Sequence, residues 1–292
     1  MQLLQDEWEI FSERLWDRDG AGPLLEAIME TGWDDDEGLP PLAASDPHVS
    51  QRWSHDTLSD LWERFAEKVK ADPTHPLQFR DGLFDEFLIT EDLLGRREKR
   101  LTESTTIYRA QLGFLATPDG PKPFSGQRMA GPPPELATPG RANARGRVML
   151  YCADQEMTAV AEMRPARGEY VSVAEVMVMR ELTILDLAAD PDWPNPFTNE
   201  SVNYWIEFAD LLIAFADQLS TPLRSRDDPT DYIPSQKLAE AIEKARVDGI
   251  RYPSAMAPGG TNVVLFKPAV VHIRTSRLVE VTDIRLEYRD AP

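Results

Sequence analysis

The chain has 292 residues, of which 42% are hydrophobic and 28% are charged, a balance typical of globular proteins that bury a core. Its formal net charge of -19 repels phosphate backbones, and it has neither an apolar run of about 18 residues nor a basic N-terminal region of the signal-peptide type. Its single cysteine, Cys152, excludes an internal disulfide framework and argues against a cysteine-based zinc site. We therefore expect a cytoplasmic protein without a metal site, a nucleic-acid partner or a membrane partner.

The first 100 residues carry an excess of negative charge, with 24 acidic and 11 basic side chains. Their apolar residues recur at helical spacing, most clearly over residues 58–69, where they form one stripe. Ser54 lies just before this segment and is a candidate cap for the start of the helix. The pattern predicts a small all-α domain over residues 1–100, which acts in regulation or in protein interaction.

The second part of the chain alternates segments of strand and helix character. Apolar runs and alternating patterns predict strands over residues 105–112, 148–153, 170–179, 182–187, 249–252, 262–266 and 284–288. Helical spacing predicts helices over residues 155–163, 201–219 and 235–246. These elements predict an α+β domain over residues 101–292, with a mixed sheet flanked by helices.

A long irregular segment, residues 118–146, is rich in proline and glycine. A loop of this length inside a compact domain is often functional, and this one delivers Arg141 and Asn143 to the start of a predicted strand. The strand and helix that follow carry Tyr151 and Glu162, which we expect to face the same cleft as Arg141. An arginine, an aromatic ring and a carboxylate together suit a phosphorylated nucleotide whose glycosidic carbon becomes cationic during reaction.

Four segments of the second part resemble the RES domain family, which is named for an arginine, a glutamate and a serine that recur in that order. They read IYRAQ, GRANARGRVMLYCADQEMTAVAEMRP, DYIPSQKLAEAI and DGIRYPSAMAPGGTNVVLF. These segments contain the three residues of the pattern at Arg109, Glu162 and Ser254, and they follow the order and spacing of the family over more than half of the chain. One departure is Ala142, which stands where the family often has an aromatic residue.

The resemblance implies a fold similar to that of ADP-ribosyltransferase toxins. It also implies an NAD+ phosphorylase, an enzyme that cleaves the nicotinamide N-glycosidic bond of NAD+ with inorganic phosphate as the acceptor. In this interpretation the catalytic residues are Arg109, Glu162 and Ser254. The residues expected to bind NAD+ are Tyr108, Arg109, Arg141, Asn143 and Tyr151. NAD+ and phosphate are then substrates, and no prosthetic group is expected.

The resemblance also bears on partners. Members of the family commonly act as toxins of toxin–antitoxin pairs, which implies an antitoxin protein as a partner. The helical region over residues 1–100 resembles the HEPN-related extension that precedes some RES domains. A homo-oligomer is left open by the sequence.

Alternative interpretations stay open at this point. The acceptor is either phosphate, or water in an NAD+ hydrolase, or a macromolecule in an ADP-ribosyltransferase. A different class of function is a catalytically silent protein-interaction module. The candidate residues have structural alternatives as well: Glu162 as a solvated residue paired with Arg164 or Arg167, Tyr151 as a core residue, and Ser254 as a partner of a turn backbone.

Overall fold

The computed structural model describes residues 58–74, 97–189, 202–221 and 229–285. Its strands are β1 (Glu98–Leu101), β2 (Thr106–Leu112), β3 (Leu115–Thr117), β4 (Gly120–Lys122), β5 (Leu150–Ala153), β6 (Tyr170–Val178), β7 (Leu182–Asp186), β8 (Gly249–Pro253), β9 (Thr261–Leu265) and β10 (Val271–Glu280). Its α-helices are α1 (Leu58–Ala71), α2 (Gln127–Ala130), α3 (Glu156–Glu162), α4 (Val202–Ser220) and α5 (Ile233–Lys244). Short 3-10 turns occupy Pro134–Leu136, Pro229–Tyr232 and Pro268–Val270.

Eight of these strands form one mixed sheet in the order β1-β7-β8-β9-β5-β2-β6-β10. Strands β7 and β8 run parallel, and the other neighbours in the sheet run antiparallel. A parallel pair needs a long crossover, and the chain between β7 and β8 contains α4 and α5. The predicted α+β class, with a mixed sheet and flanking helices, is confirmed.

The central strands of the sheet are buried and consist mainly of apolar residues. Every residue of β9 is buried, as expected for a strand that is covered on both faces. The larger core cluster combines aliphatic side chains of seven strands, among them Ile107, Leu150, Val176, Ile184 and Leu265. A second cluster is built from small residues, including Ala110, Ala153 and Ala159. Because alanine leaves little bulk between backbones, helix α3 packs closely on β2 and β5.

Two strands at the edges of the sheet were not predicted from the sequence. Strand β10 pairs along β6, and strand β1 pairs along β7. The predicted strand over residues 284–288 is not confirmed at Ile284 and Arg285, which lie outside any strand, and residues 286–288 lie outside the described ranges. The described chain thus places its last strand earlier, at Val271–Glu280.

The predicted all-α domain over residues 1–100 lies largely outside the described residues. Its predicted helix over residues 58–69 is confirmed by α1, whereas Ser54 lies outside the described part. Strand β1 crosses the predicted boundary at residue 100, which stays a prediction. The chain divides into two compact units, Met1–Glu63 with Trp193–Ala214, and Arg64–Asp192 with Phe215–Pro292. Across the described ranges, no helix has the length and apolar character that crossing a bilayer requires.

Candidate active site

A cavity of about 450 Å³ lies in the second unit and is lined by residues of β2, β5, α3, β8 and β9. The predicted site residues that line this cavity are Tyr108, Arg109, Tyr151 and Glu162. Ser254 adjoins it through a hydrogen bond to Glu162. The other two predicted residues, Arg141 and Asn143, are not among the lining residues. The structure therefore brings five of the seven predicted residues together.

The strand register explains why these strands share a cavity. Tyr252, Asn262, Ala153 and Tyr108 follow one another as paired residues across β8, β9, β5 and β2. Directly paired residues of antiparallel strands point to the same face of a sheet, so these four side chains form one row. Alanine is the smallest of them and leaves space in the middle of the row. All four residues line the cavity.

Helix α3 carries Glu162 to this row at its last residue. The buried residues of α3, Thr158 and Ala159, hold the helix against the sheet. Glu162 Oε1 accepts hydrogen bonds from Ser254 Oγ at 2.6 Å and from Asn262 Nδ2 at 2.7 Å. Its other oxygen, Oε2, accepts no hydrogen bond from a described residue, and no arginine in the described ranges forms an ion pair with it. The structural alternative of a carboxylate paired with a nearby arginine is therefore not what the described chain contains.

Ser254 lies in the loop that follows β8, and its hydroxyl is fully used within the protein. Ser254 Oγ donates to Glu162 and accepts from the backbone N–H groups of Met256 and Ala257, each at 3.1 Å. A hydroxyl has one donor and two acceptor positions, and all three are occupied here. The loop itself packs against α3, since a Cβ atom on Gly260 would overlap the Thr158 hydroxyl. In this geometry the Ser254 hydroxyl holds the Glu162 carboxylate and stabilises its own loop.

Arg109 on β2 provides the positive charge of the cavity lining. Its NH1 group donates to the carbonyl of Tyr151 at 2.9 Å, while its Nε is buried and has no hydrogen-bond partner in the described part of the chain. Burial lowers the pKa of Arg109, because desolvation disfavours the charged form, yet a guanidinium stays protonated in proteins. A buried cation with an unused donor beside a cavity is suited to bind an anion.

Tyr151 lines the cavity with its ring while its hydroxyl is held on the far side. The hydroxyl donates to Asn143 Oδ1 at 2.7 Å and accepts from the backbone N–H of Ala142 at 3.0 Å. Burial raises the pKa of Tyr151 to about 12. The approach is close enough to require glycine at position 140, where a Cβ atom would lie 2.7 Å from Asn143 Oδ1 and 2.8 Å from the Tyr151 hydroxyl oxygen.

Arg141 and Asn143 do not line the cavity themselves, although Asn143 contacts two residues that do, Tyr151 and Thr138. Arg141 NH1 donates to the carbonyl of Gln218 at 3.1 Å, and its guanidinium lies 5.7 Å from the ring centroid of Tyr232. The buried Asn143 amide nitrogen donates to carbonyls of its own loop, including that of Thr138 at 2.9 Å. Their predicted role in binding NAD+ stays a prediction, because the described contacts of both side chains are structural.

The polar lining residues that sequence reasoning missed include Asn262 and Tyr252. Asn262 stands in a buried apolar run after a Gly-Gly pair, and a buried amide in such a run needs a specific partner. A polar residue in this position of the sequence could therefore have identified Asn262 as a candidate site residue. Tyr252 is buried, and its burial raises its pKa. Cys152, which also lines the cavity, has its pKa raised by burial to about 12 and carries a neutral thiol at neutral pH.

Comparison with known proteins gives a family match. A model of the RES domain matches residues 106–288, which is well over half of the chain. Among solved structures, the chain is similar to one in the crystal structure of the M. tuberculosis MbcT-MbcA toxin-antitoxin complex. That match has 19% sequence identity and a TM-score of 0.36, and it covers 68% of this chain and 94% of that chain. No curated protein sequence matches. The family model covers the arginine, glutamate and serine identified in the sequence, and the chain belongs to the RES domain family.

Proposed function

We propose that this chain is an NAD+-degrading enzyme that cleaves the bond between nicotinamide and ribose and transfers the ADP-ribosyl group to inorganic phosphate. The observation that supports it most is the state of Glu162, whose Oε1 is held by two donors while Oε2 has no partner in the described chain. This carboxylate borders the same cavity as the buried guanidinium of Arg109. The pair supplies one negative and one positive group to a substrate that develops a cation and carries phosphates.

The role of Glu162 follows from the chemistry of the glycosidic bond. When the bond breaks, its electron pair leaves with the pyridinium nitrogen, nicotinamide departs as a neutral molecule, and the ribose ring carries an oxocarbenium charge. At about 4 Å and an effective dielectric constant of about 20, a carboxylate stabilises such a charge by about 4 kcal/mol. A barrier lowered by about that amount corresponds to a rate about a thousandfold faster. Because Ser254 and Asn262 already hold the carboxylate in place, little of this stabilisation energy is spent on reorienting it during the reaction.

The role of Arg109 follows from its unused hydrogen-bonding capacity. The pyrophosphate of NAD+ and the attacking phosphate are both anions, and the chain as a whole carries a net charge of -19. Such ligands need a local cation, and a guanidinium binds phosphate oxygens through paired donors. In the proposed reaction a phosphate oxygen bonds to the ribose carbon as nicotinamide leaves, which gives ADP-ribose 1″-phosphate. Tyr151 and Tyr108 border the nicotinamide half of the substrate.

Membership of the RES family supports a toxin function for the proposed NAD+ consumption. Loss of NAD+ deprives a cell of a redox carrier, so the enzyme needs restraint by a partner. We propose an antitoxin protein as that partner, and the helical region over residues 1–100 as the part of the chain that contributes to regulation.

The test is incubation of the purified full chain with NAD+ in the presence and absence of inorganic phosphate, followed by phosphorus NMR. We expect phosphate-dependent formation of a sugar phosphate that Glu162→Gln abolishes. The matched control is Glu156→Gln, which changes a carboxylate at the other end of the same helix, where it pairs with Arg277 near the surface. Formation of ADP-ribose without phosphate would show that the enzyme is a hydrolase. Modification of a protein or nucleic acid would show that it is an ADP-ribosyltransferase. No loss of NAD+ would contradict the proposal.

A further inference from the structure

We propose that Asn262 is a positioning residue that, together with Ser254, fixes the orientation of the Glu162 carboxylate. The proposal rests on the proposed function only in that it takes Glu162 as the reacting carboxylate. Asn262 Nδ2 lies 2.7 Å from Glu162 Oε1, and the residue is only 6% exposed. A buried amide that spends its donor on a carboxylate fixes the position of that carboxylate.

Asn262 is held by the sheet more firmly than Glu162 is held by its helix. Strand β9 lies between β8 and β5, and Asn262 is paired with Tyr252 on one side and with Ala153 on the other. Glu162, in contrast, is the last residue of a helix of 7 residues. Since the ends of short helices fray readily, an external contact is needed to fix the Glu162 side chain.

The residue before Asn262 is anchored as well. Thr261 exchanges two backbone-directed hydrogen bonds with Asp154: its N–H donates to Asp154 Oδ1 at 3.1 Å, and its carbonyl accepts from the Asp154 N–H at 3.1 Å. Its hydroxyl accepts from Arg251 Nε at 3.1 Å, and Arg251 NH1 in turn contacts both carboxylate oxygens of Asp186 at 2.9 and 2.8 Å. The start of β9 is therefore a rigid support from which Asn262 reaches Glu162.

Two donors on one oxygen also decide which oxygen of Glu162 is available to a substrate. Ser254 and Asn262 both donate to Oε1, whereas no described residue donates to Oε2. Arg109 is the cation among the residues that line the same cavity. The two donors therefore leave Oε2 as the oxygen that can meet a developing positive charge.

The experiment removes the Asn262 donor in two ways. In Asn262→Asp the side chain keeps its shape and the amide is replaced by a carboxyl, and in Asn262→Ala the side chain is shortened to a methyl group. Both changes remove one of the two hydrogen bonds to Glu162 Oε1, so we expect the carboxyl resonance of Glu162 to shift and to broaden as the carboxylate takes up more than one orientation. The primary readout is carbon NMR of protein with carboxyl-labelled glutamate, in which Glu162→Gln identifies the resonance of Glu162.

The activity readout uses the same variants. Since a carboxylate that is no longer held must be reoriented before it stabilises the cation, we expect kcat to fall by about tenfold while the KM for NAD+ changes only a few-fold. A loss of stability alone leaves the Glu162 resonance of the folded protein unchanged. The matched control is Val263→Ala, the next residue of β9, which packs into the core cluster with Leu150 and Leu265 and leaves the resonance of Glu162 unchanged.

The outcomes separate this proposal from the proposed function. The resonance of Glu162 is measured without turnover, so a protein that consumes no NAD+ still tests the contact. If the Asn262 variants do not fold, Ser254→Ala removes the other donor to Glu162 Oε1 and is measured in the same way. A Glu162 resonance that is the same in folded Asn262→Ala as in the unmodified protein would overturn the proposal.

Discussion

Two neighbouring regions of the chain use their polar groups in opposite ways. The scaffold loop, residues 137–147, pairs its polar groups within the protein: Asn143 bonds to Tyr151 and to its own loop, and Gln236 of α5 donates to two of its carbonyls. The carboxylate arm, residues 154–163, ends at Glu162, which leaves one oxygen without a described partner. The polar groups of the scaffold loop therefore support the cavity, whereas the Glu162 carboxylate has an oxygen with which to contact a ligand.

The physical basis of the contrast is the cost of burying polar atoms. A buried donor or acceptor that loses its partner costs about 1–3 kcal/mol, so a region that serves only as support satisfies its groups internally. Glu162 and Arg109 keep unsatisfied atoms beside a cavity, where a ligand can satisfy them. Substitutions in the two regions should therefore differ in what they change. Substitution of Glu162 in the carboxylate arm alters catalysis, and substitutions in the scaffold loop alter stability.

The largest expected effect is that of Glu162→Gln on turnover of NAD+. We expect kcat to fall by about a thousandfold, since the glutamine amide keeps the shape but lacks the charge that stabilises the cation. The affinity for NAD+ should change only a few-fold. Single-turnover kinetics and calorimetric binding measure the two quantities separately. A glutamine variant that retains most of its turnover would remove the carboxylate arm from the chemistry.

Arg109→Lys comes next in expected size. Lysine keeps the charge but lacks the planar set of donors, so we expect the KM for NAD+ or phosphate to rise by about ten- to a hundredfold. Steady-state kinetics at varied NAD+ and at varied phosphate show which of the two anions Arg109 binds. Arg100→Lys serves as the control, because Arg100 is an exposed residue of β1 that pairs with Glu98 and Glu181 at the surface. Equal effects of the two changes would contradict a binding role for Arg109.

The sequence predicted most of the sheet, and the elements it missed have a common physical cause. Strands β1 and β10 lie at the edges of the sheet, where polar and charged side chains such as those of Lys99, Arg274 and Arg277 face solvent. These residues weaken the alternating apolar signal by which a strand is recognised in the sequence. The buried strands β5, β6, β8 and β9 were predicted within about two residues of their ends because burial on both faces imposes apolar runs.

The sequence predicted site residues that lie within one short segment of the chain. It did not predict contacts that depend on how distant strands are paired. Tyr151 and Glu162 were expected to share a cleft with Arg141, and the structure places these two on one cavity with Arg109, whereas Arg141 is not among the lining residues. Asn262 was missed because its contact with Glu162 joins residues that are 100 positions apart in the chain. The direction of the Arg141 side chain follows from docking of its loop on the α5 helix, which local sequence patterns do not encode.

The scaffold loop gives a prediction of the opposite kind. Tyr151→Phe removes a hydroxyl and leaves Asn143 Oδ1 and the Ala142 N–H without their partner. We expect the free energy of unfolding to fall by about 1–3 kcal/mol, while kcat/KM changes only a few-fold because the ring still lines the cavity. Urea denaturation and NAD+ kinetics test both parts, with Tyr170→Phe as a control at an exposed position. Activity as low as that of Glu162→Gln at unchanged stability would show that the Tyr151 hydroxyl takes part in the reaction.

The last predicted effect is a pH dependence of that stability difference. Burial raises the pKa of Tyr151 to about 12, above the value of about 10 for an exposed tyrosine, so above about pH 10 the unfolded chain releases a proton that the folded chain keeps. The stability that depends on the neutral phenol is fully present below about pH 10 and is lost as the pH rises toward 12, by up to about 3 kcal/mol. Cys152 and Tyr252 also have raised pKa values and remain in both proteins, so the informative quantity is the difference between the unmodified protein and Tyr151→Phe. That difference, measured by urea denaturation, should shrink from pH 10 to 12, and a constant difference would mean that the Tyr151 hydroxyl is not held neutral in the folded state.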